Sequence, residues 1–237
     1  MDAITPAPTA APGPTGPAPA RSSTRGRTPR GQGERLRVEI VAAAVRLLDE
    51  LADDQALSMR AVAREVGIAA TSVYLHFADR DALVLAALEH CHADLLRAVD
   101  RAETGAPDPV AALRARTALL GAWSREHPGL YKVLHETTLN RRADLSFRTE
   151  MAERTTAAIR RCMDAGLAPD DDAETVSLDL RTAVHGAVSA RVNQPELPWP
   201  PLAEQVDRFL VKLVGVAPAT KADGAPAAEN DGTPTAR

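Results

Sequence analysis

Few residues in the 237-residue chain have both the type and the spacing for chemistry. His90, Cys91 and His92 are the densest run of metal-ligand types, but successive helical residues diverge by about 100°, so the three cannot face one ion. His135-Glu136-Thr137-Thr138 opens like the zinc motif H-E-x-x-H and then carries Leu139 where the second histidine must stand. Asp170-Asp171-Asp172 reads as a helix N-terminus, where carboxylates complement the positive end of the dipole. No G-x-S-x-G elbow and no Walker loop occurs. Cys91 and Cys162 are far apart and lack C-x-x-C spacing, so they read as buried thiols. These spacings give no catalytic residue, no metal site and no cofactor.

A more informative stretch is Leu57 to Leu83, LSMRAVAREVGIAATSVYLHFADRDAL. Ser58 is a good N-cap for a short helix whose inner face is Met59, Val62, Ala63 and Val66. Gly67 stops that helix, because glycine takes the left-handed conformation that turns the chain into the next one. Val73, Tyr74 and Phe77 then resume an apolar face, and Asp79 caps a longer helix. Upstream, Leu36, Ile40, Ala44, Leu47, Leu48 and Leu51 lie on one face of a helix from Glu34 onward. Three short helices therefore precede Ala78, in a helix-turn-helix arrangement that presents its second helix to a major groove wide enough to admit it.

Val62-Ala63, Val66-Gly67-Ile68, Val73-Tyr74-x-His76-Phe77 and Arg80-Asp81-Ala82-Leu83 together resemble the TetR/AcrR family of bacterial transcription regulators. The resemblance implies that Ala70 to His76 is the recognition helix. It places Thr71 and Ser72 near base edges, Tyr74 and His76 as hydrogen-bonding groups to phosphates, and Arg80 as a charge contact. It also places Ser58 and Arg60 against DNA backbone or an outer base. Ala69 and Ala70 depart from the polar residues common there, so specificity leans on Thr71, Ser72, Arg60 and Leu75, the last against a thymine methyl. Phe77 is expected to pack inside the unit, whereas Tyr74 is divided between packing and contact. Arg21, Arg25, Arg27 and Arg30 precede the first helix, in a stretch without acid between Asp2 and Glu34. They are expected either to form an arm that reaches DNA or to be a solvated linker.

Downstream, apolar residues recur at helical spacing. Leu85, Leu88, Leu95 and Val99 precede Gly105, and Val110, Leu113, Thr117 and Leu120 follow Pro109. Further helices are expected around Leu130 to His135, Asp144 to Ala165, Asp171 to Val192 and Leu202 to Val214. No strand pattern appears. The bundle resembles the family's effector-binding and dimerisation domain, with Glu126-His127-Pro128-Gly129 and Ala183-Val184-His185-Gly186 similar to its Trp-His-Gly subgroup, Val184 replacing the tryptophan. His92, four after Leu88 and three before Leu95, shares their apolar face and points either into a pocket or into plain core. Trp123, Tyr131, His135, Phe147, Met151 and His185 are the other candidates to line a pocket. The last two long helices carry Val176, Leu180, Ala183, Val184, Ala187 and Val188, and Val206, Phe209, Leu210 and Leu213. These faces are expected to pair across a homodimer axis, with small Ala183, Gly186 and Ala187 allowing close approach.

Composition bounds the rest. Of 18 prolines, seven lie in residues 1–30 and three after Val216, so both ends read as disordered tails. A net charge of -4 with 3% aromatics argues against a broad base-stacking surface, so nucleic-acid contact must be local. No signal peptide and no apolar stretch of about 18 residues is present, and a cytoplasmic protein without membrane contact is expected. The chain thus reads as all-α: a tail with an arginine arm at 1–33, a DNA-binding unit at 34–79, a ligand-binding and dimerisation bundle at 80–216, and a second tail at 217–237. The expected function is a repressor that leaves a palindromic double-stranded DNA operator when an apolar or aromatic small molecule binds. The competing readings are a helical small-molecule binding protein or enzyme with a degenerate DNA-binding unit, and a regulator of this type without a ligand.

Overall fold

The computed structural model describes residues 32–137 and 146–219, and the side chains of 146–148 are outside that description. The tails, with Arg21, Arg25, Arg27 and Arg30, and the side chain of Phe147 therefore lie outside the described residues.

Every regular element among the described residues is helical. The order is α1 (Gln32–Leu51), a 3-10 turn (Asp54–Ala56), α2 (Met59–Val66), α3 (Ala70–Tyr74), α4 (Arg80–Thr104), α5 (Pro109–Glu126), α6 (Pro128–Glu136), α7 (Ser146–Asp164), α8 (Ala173–Asn193) and α9 (Leu202–Phe209). The caps account for most of these boundaries. Ser58 Oγ accepts from Ala61 N at 3.1 Å, Asp79 Oδ1 from Ala82 N at 2.8 Å and Asp108 Oδ1 from Ala111 N at 2.8 Å, each satisfying a backbone donor that helix geometry leaves open. Gly67 ends α2 at φ 78°, ψ 31°, a left-handed conformation in which a Cβ would be strained. Ala69, as its type dictates, gives α3 no side-chain cap.

Three expected boundaries are corrected. Helix α3 ends at Tyr74, and His76 sits in the turn after it, its N–H donating to Val73 O at 3.0 Å. Helix α1 begins at Gln32, ahead of Glu34. The last helix does not run uniformly to Val214: from Leu210 to Val214 it widens into a π-helix that ends at left-handed Gly215.

The buried side chains form two cores. The first joins Ile40, Ala44 and Leu48 of α1 with Val62, Ala63, Val73 and Phe77, with Leu83, Val84, Ala87 and Leu88 of α4, and with Leu130 and Val133 of α6. The second joins Val110 and Leu113 of α5 with Ile159 and Cys162 of α7, Val176, Leu180, Ala187 and Val188 of α8, and Val206, Leu210 and Val214. The faces of α8 and α9 that were expected to meet across a dimer axis are therefore largely covered within one chain. The apolar positions left open on this pair are Leu178, 58% exposed, with Val192 and Leu213, while Ala183 and Val184 are half-buried. Periodicity shows which face is apolar but not which helix covers it, and much of this stripe is covered from within the chain.

Candidate functional site

One candidate surface lies on the helix-turn-helix. Val73 and Phe77 point into the first core, which fixes the rotation of α3 and turns the residues between them outward. Tyr74 is 55% exposed and Leu75 84%, Thr71 is exposed, and Ser72 and His76 are half-buried. Arg60 on α2 is exposed as well. Ser58 is exposed but its hydroxyl already caps α2. Arg80 is held by its own fold: Nη1 donates to Asp54 O at 3.2 Å and Gln55 Oε1 at 3.0 Å, while Nε and Nη2 grip Asp81 Oδ1 at 3.1 and 2.6 Å. This side chain ties the 3-10 turn to the start of α4. The sequence reading missed Arg37, whose exposed guanidinium lies 5.0 Å from the centroid of the Phe77 ring and so brings a positive charge from α1 to the end of the α3 segment.

The second candidate is a cavity of about 170 Å³ inside the bundle, walled by α4 to α8. His92, Trp123, Tyr131, His135, Met151 and His185 all line it, together with Leu95, Leu120, Leu134, Leu180, Val184 and Val188. Six of the candidate lining residues thus converge from five helices. Tyr131 Oη and His185 Nδ1 are 2.6 Å apart, and the His135 ring lies 4.4 Å from that of Tyr131 and 4.5 Å from that of His185. Burial pushes the Tyr131 phenol up from its ordinary value, so it stays neutral. His92 is 4% exposed, and burial holds its imidazole below the usual histidine range, with Arg154 adding to that effect and Glu150 opposing it. His90, two residues earlier, is exposed and lies 3.5 Å from Asp94, so the helix separates the two histidines as the spacing required. The Cys91 thiol is pushed up to about 12, first by burial and then by Asp94 and Asp49, which removes its nucleophilic form at neutral pH.

The sequence reading also missed the group that joins cavity and surface. Asp49 of α1 accepts from Leu130 N at 3.0 Å and lies 2.8 Å from His127 Nδ1, capping α6 from another helix. A Cβ at Gly129 would stand 1.8 Å from Asp49 O, so glycine is what lets α6 dock so closely. From that anchorage α6 sends Leu130 and Val133 into the first core and Tyr131, Leu134 and His135 to the cavity. Helix α4 has the same double role, with Leu83 to Leu88 in the core and His92 and Leu95 at the cavity.

Residues 40–87 match the model of bacterial regulatory proteins of the tetR family, and residues 113–217 match that of a tetracyclin repressor-like C-terminal domain. The second match spans His127-Pro128-Gly129 and Val184-His185-Gly186, the phrases that resemble the Trp-His-Gly subgroup. No curated protein matches the sequence. The structure is similar to that of a transcriptional regulator from Pseudomonas aeruginosa PAO1, with 17% identity and a TM-score of 0.64 over 78% of this chain and 93% of that one. It is similar to a protein of unknown function from Rhodococcus sp. RHA1, with 25% identity and a TM-score of 0.63 over 77% and 95%. It is also similar to the regulator FadR from Bacillus subtilis, solved in complex with stearoyl-CoA, with 14% identity and a TM-score of 0.64 over 75% and 97%.

Proposed function

The chain belongs to the TetR family of bacterial transcription regulators, which bind DNA, and we propose that it is a ligand-responsive repressor. In this reading a homodimer holds a pseudo-palindromic operator through two copies of α3 and leaves it when a small molecule fills the cavity. Thr71, Ser72 and Arg60 read base edges, Tyr74 and His76 grip phosphates, and Arg37 adds charge to the backbone contacts. Ser58 and Arg80 act mainly by holding α2 and α4 in place.

The observation that carries this reading is the shared membership of α4 and α6 in the first core and the cavity wall. A ligand shifts an equilibrium only by its differential affinity for the two states, so the cavity must change shape when the DNA-reading units change spacing. Two helices rooted in both places provide that coupling. The Bacillus subtilis regulator solved with stearoyl-CoA supports reading such a bundle as ligand-holding.

The dimer is carried by the outward face of α8, where Leu178 and Val192 are exposed and a Cβ on Gly186 would meet nothing within 4 Å. Footprinting on the DNA upstream of its own gene is the test. Protection of two half-sites centred about 34–36 Å apart, or a multiple of that, supports the reading. Uniform or absent protection contradicts it.

A further inference from the structure

The cavity wall is mostly apolar, yet Arg116, Arg181 and three histidines line it and no Asp or Glu does among the described residues. Arg116 is only 2% exposed. Its Nη1 donates to Glu103 Oε1 at 2.7 Å, and the other oxygen of Glu103 accepts from Arg161 Nη2 at 3.1 Å. One carboxylate therefore serves two guanidiniums, and the trio keeps a net positive charge.

The remaining edge of Arg116 is poorly satisfied. Nη2 has only Met151, at 3.5 Å to the carbonyl oxygen and 3.2 Å to Sδ, and Nε has no hydrogen-bond partner among the described residues. Nε–H and Nη2–H are the parallel donors with which a guanidinium takes a carboxylate side-on. The chain turns the same edge to carboxylates elsewhere: Arg46 on Glu65, Arg80 on Asp81 and Arg154 on Glu150 each bring Nε and Nη2 to one carboxylate oxygen. A buried donor left without an acceptor is costly, and a ligand that supplies one is favoured by removing that cost. The cavity meets solvent at Arg181 and His185, both exposed, whereas Arg116 and His92 are buried.

We propose, on the reading of this cavity as the effector site, that its ligand is an organic anion: a carboxylate on an apolar chain or ring. The carboxylate lies on the Nε–Nη2 edge of Arg116, displacing the contacts to Met151, and the apolar body lies along Leu95, Leu120, Trp123 and Val184. Arg116 is the residue that separates acids from neutral molecules of the same shape. This narrows the apolar or aromatic effector that the sequence suggested to one with a charged end.

Calorimetric titration of the full chain at neutral pH with decanoate and 4-phenylbutyrate, against decanol and 4-phenylbutanol, tests the proposal. The acids bind about 10- to 100-fold tighter than the alcohols, as expected of a charge-assisted pair in a buried site. Arg116→Met removes that preference by weakening the acids far more than the alcohols, and Glu103 keeps Arg161 as its partner. If that variant does not fold by circular dichroism, Glu103→Gln gives the second reading: it raises affinity for the acids and leaves the alcohols unaffected. Alcohols binding wild type as tightly as the acids, or no binding of either acid at millimolar concentration, overturns the proposal. A separate titration of operator DNA at saturating decanoate isolates the regulatory reading. Acids that bind without changing operator affinity contradict the repressor mechanism and leave the ligand class standing.

Discussion

Tyr74 and His92 show how far a single residue can be read from its neighbours. Tyr74 falls between the inward positions Val73 and Phe77, and its 55% exposure leaves the ring open to a phosphate. Tyr74→Ala should therefore weaken binding to every operator variant by a similar factor, on the order of tenfold, with unchanged unfolding in urea, whereas Thr71→Ala should alter base preference at one position. Competition binding against single-base operator variants separates the two outcomes. His92 was legible because leucines four before and three after it share its face. Its buried imidazole has a pKa below the ordinary 6.5. Above 6.5 both folded and unfolded chains are neutral at this site and the residue carries no pH-dependent cost. Below 6.5 the unfolded chain takes up a proton that the folded one resists, so stability falls with acidity. His92→Leu should flatten that decline, as measured by urea unfolding at about pH 7.5 and about pH 5.5. Arg116 was not legible: an arginine in an alanine-rich helix ordinarily faces solvent, and only the packing of α4, α5 and α7 puts it inside.

At the scale of elements, caps and turns were the readable features. Ser58, Gly67 and Asp79 each act within a few residues of their own position, so local chemistry was enough to place both ends of α2 and the start of α4. The attachment of α6 was not readable, because Asp49 is far away in sequence and His127-Pro128-Gly129 looks locally like a simple break. Gly129 is better understood from the backbone of α1 that it touches. Gly129→Ala should push α6 off α1, costing about 1–3 kcal/mol as overpacking does, with chemical denaturation as the readout. Asp49→Asn keeps the shape but weakens the charge-assisted cap. It should loosen the coupling between ligand and operator more than it lowers operator affinity itself, a difference visible as a smaller ligand-induced change in DNA binding.

At the scale of the whole molecule, the proposed function depends on a symmetry that one chain cannot display. The stripe on α8 and α9 that periodicity assigned to a dimer is mostly internal, so Ala187→Glu should unfold the protein rather than split it, since Ala187 is 7% exposed within the chain. Leu178→Glu, at an exposed position, should instead give a folded monomer in sedimentation with greatly weakened operator binding, because two half-sites are then no longer held together. The proposed repression requires operator binding by the proposed dimer. Its most direct measurement is the affinity of wild type for its upstream duplex as salt is raised from about 50 to about 200 mM, beside an unrelated duplex of equal length. The account predicts tight, steeply salt-dependent binding to the upstream duplex, with the unrelated one weaker by about a thousandfold or more. Equal affinity for both duplexes, or binding that salt does not change, would contradict it.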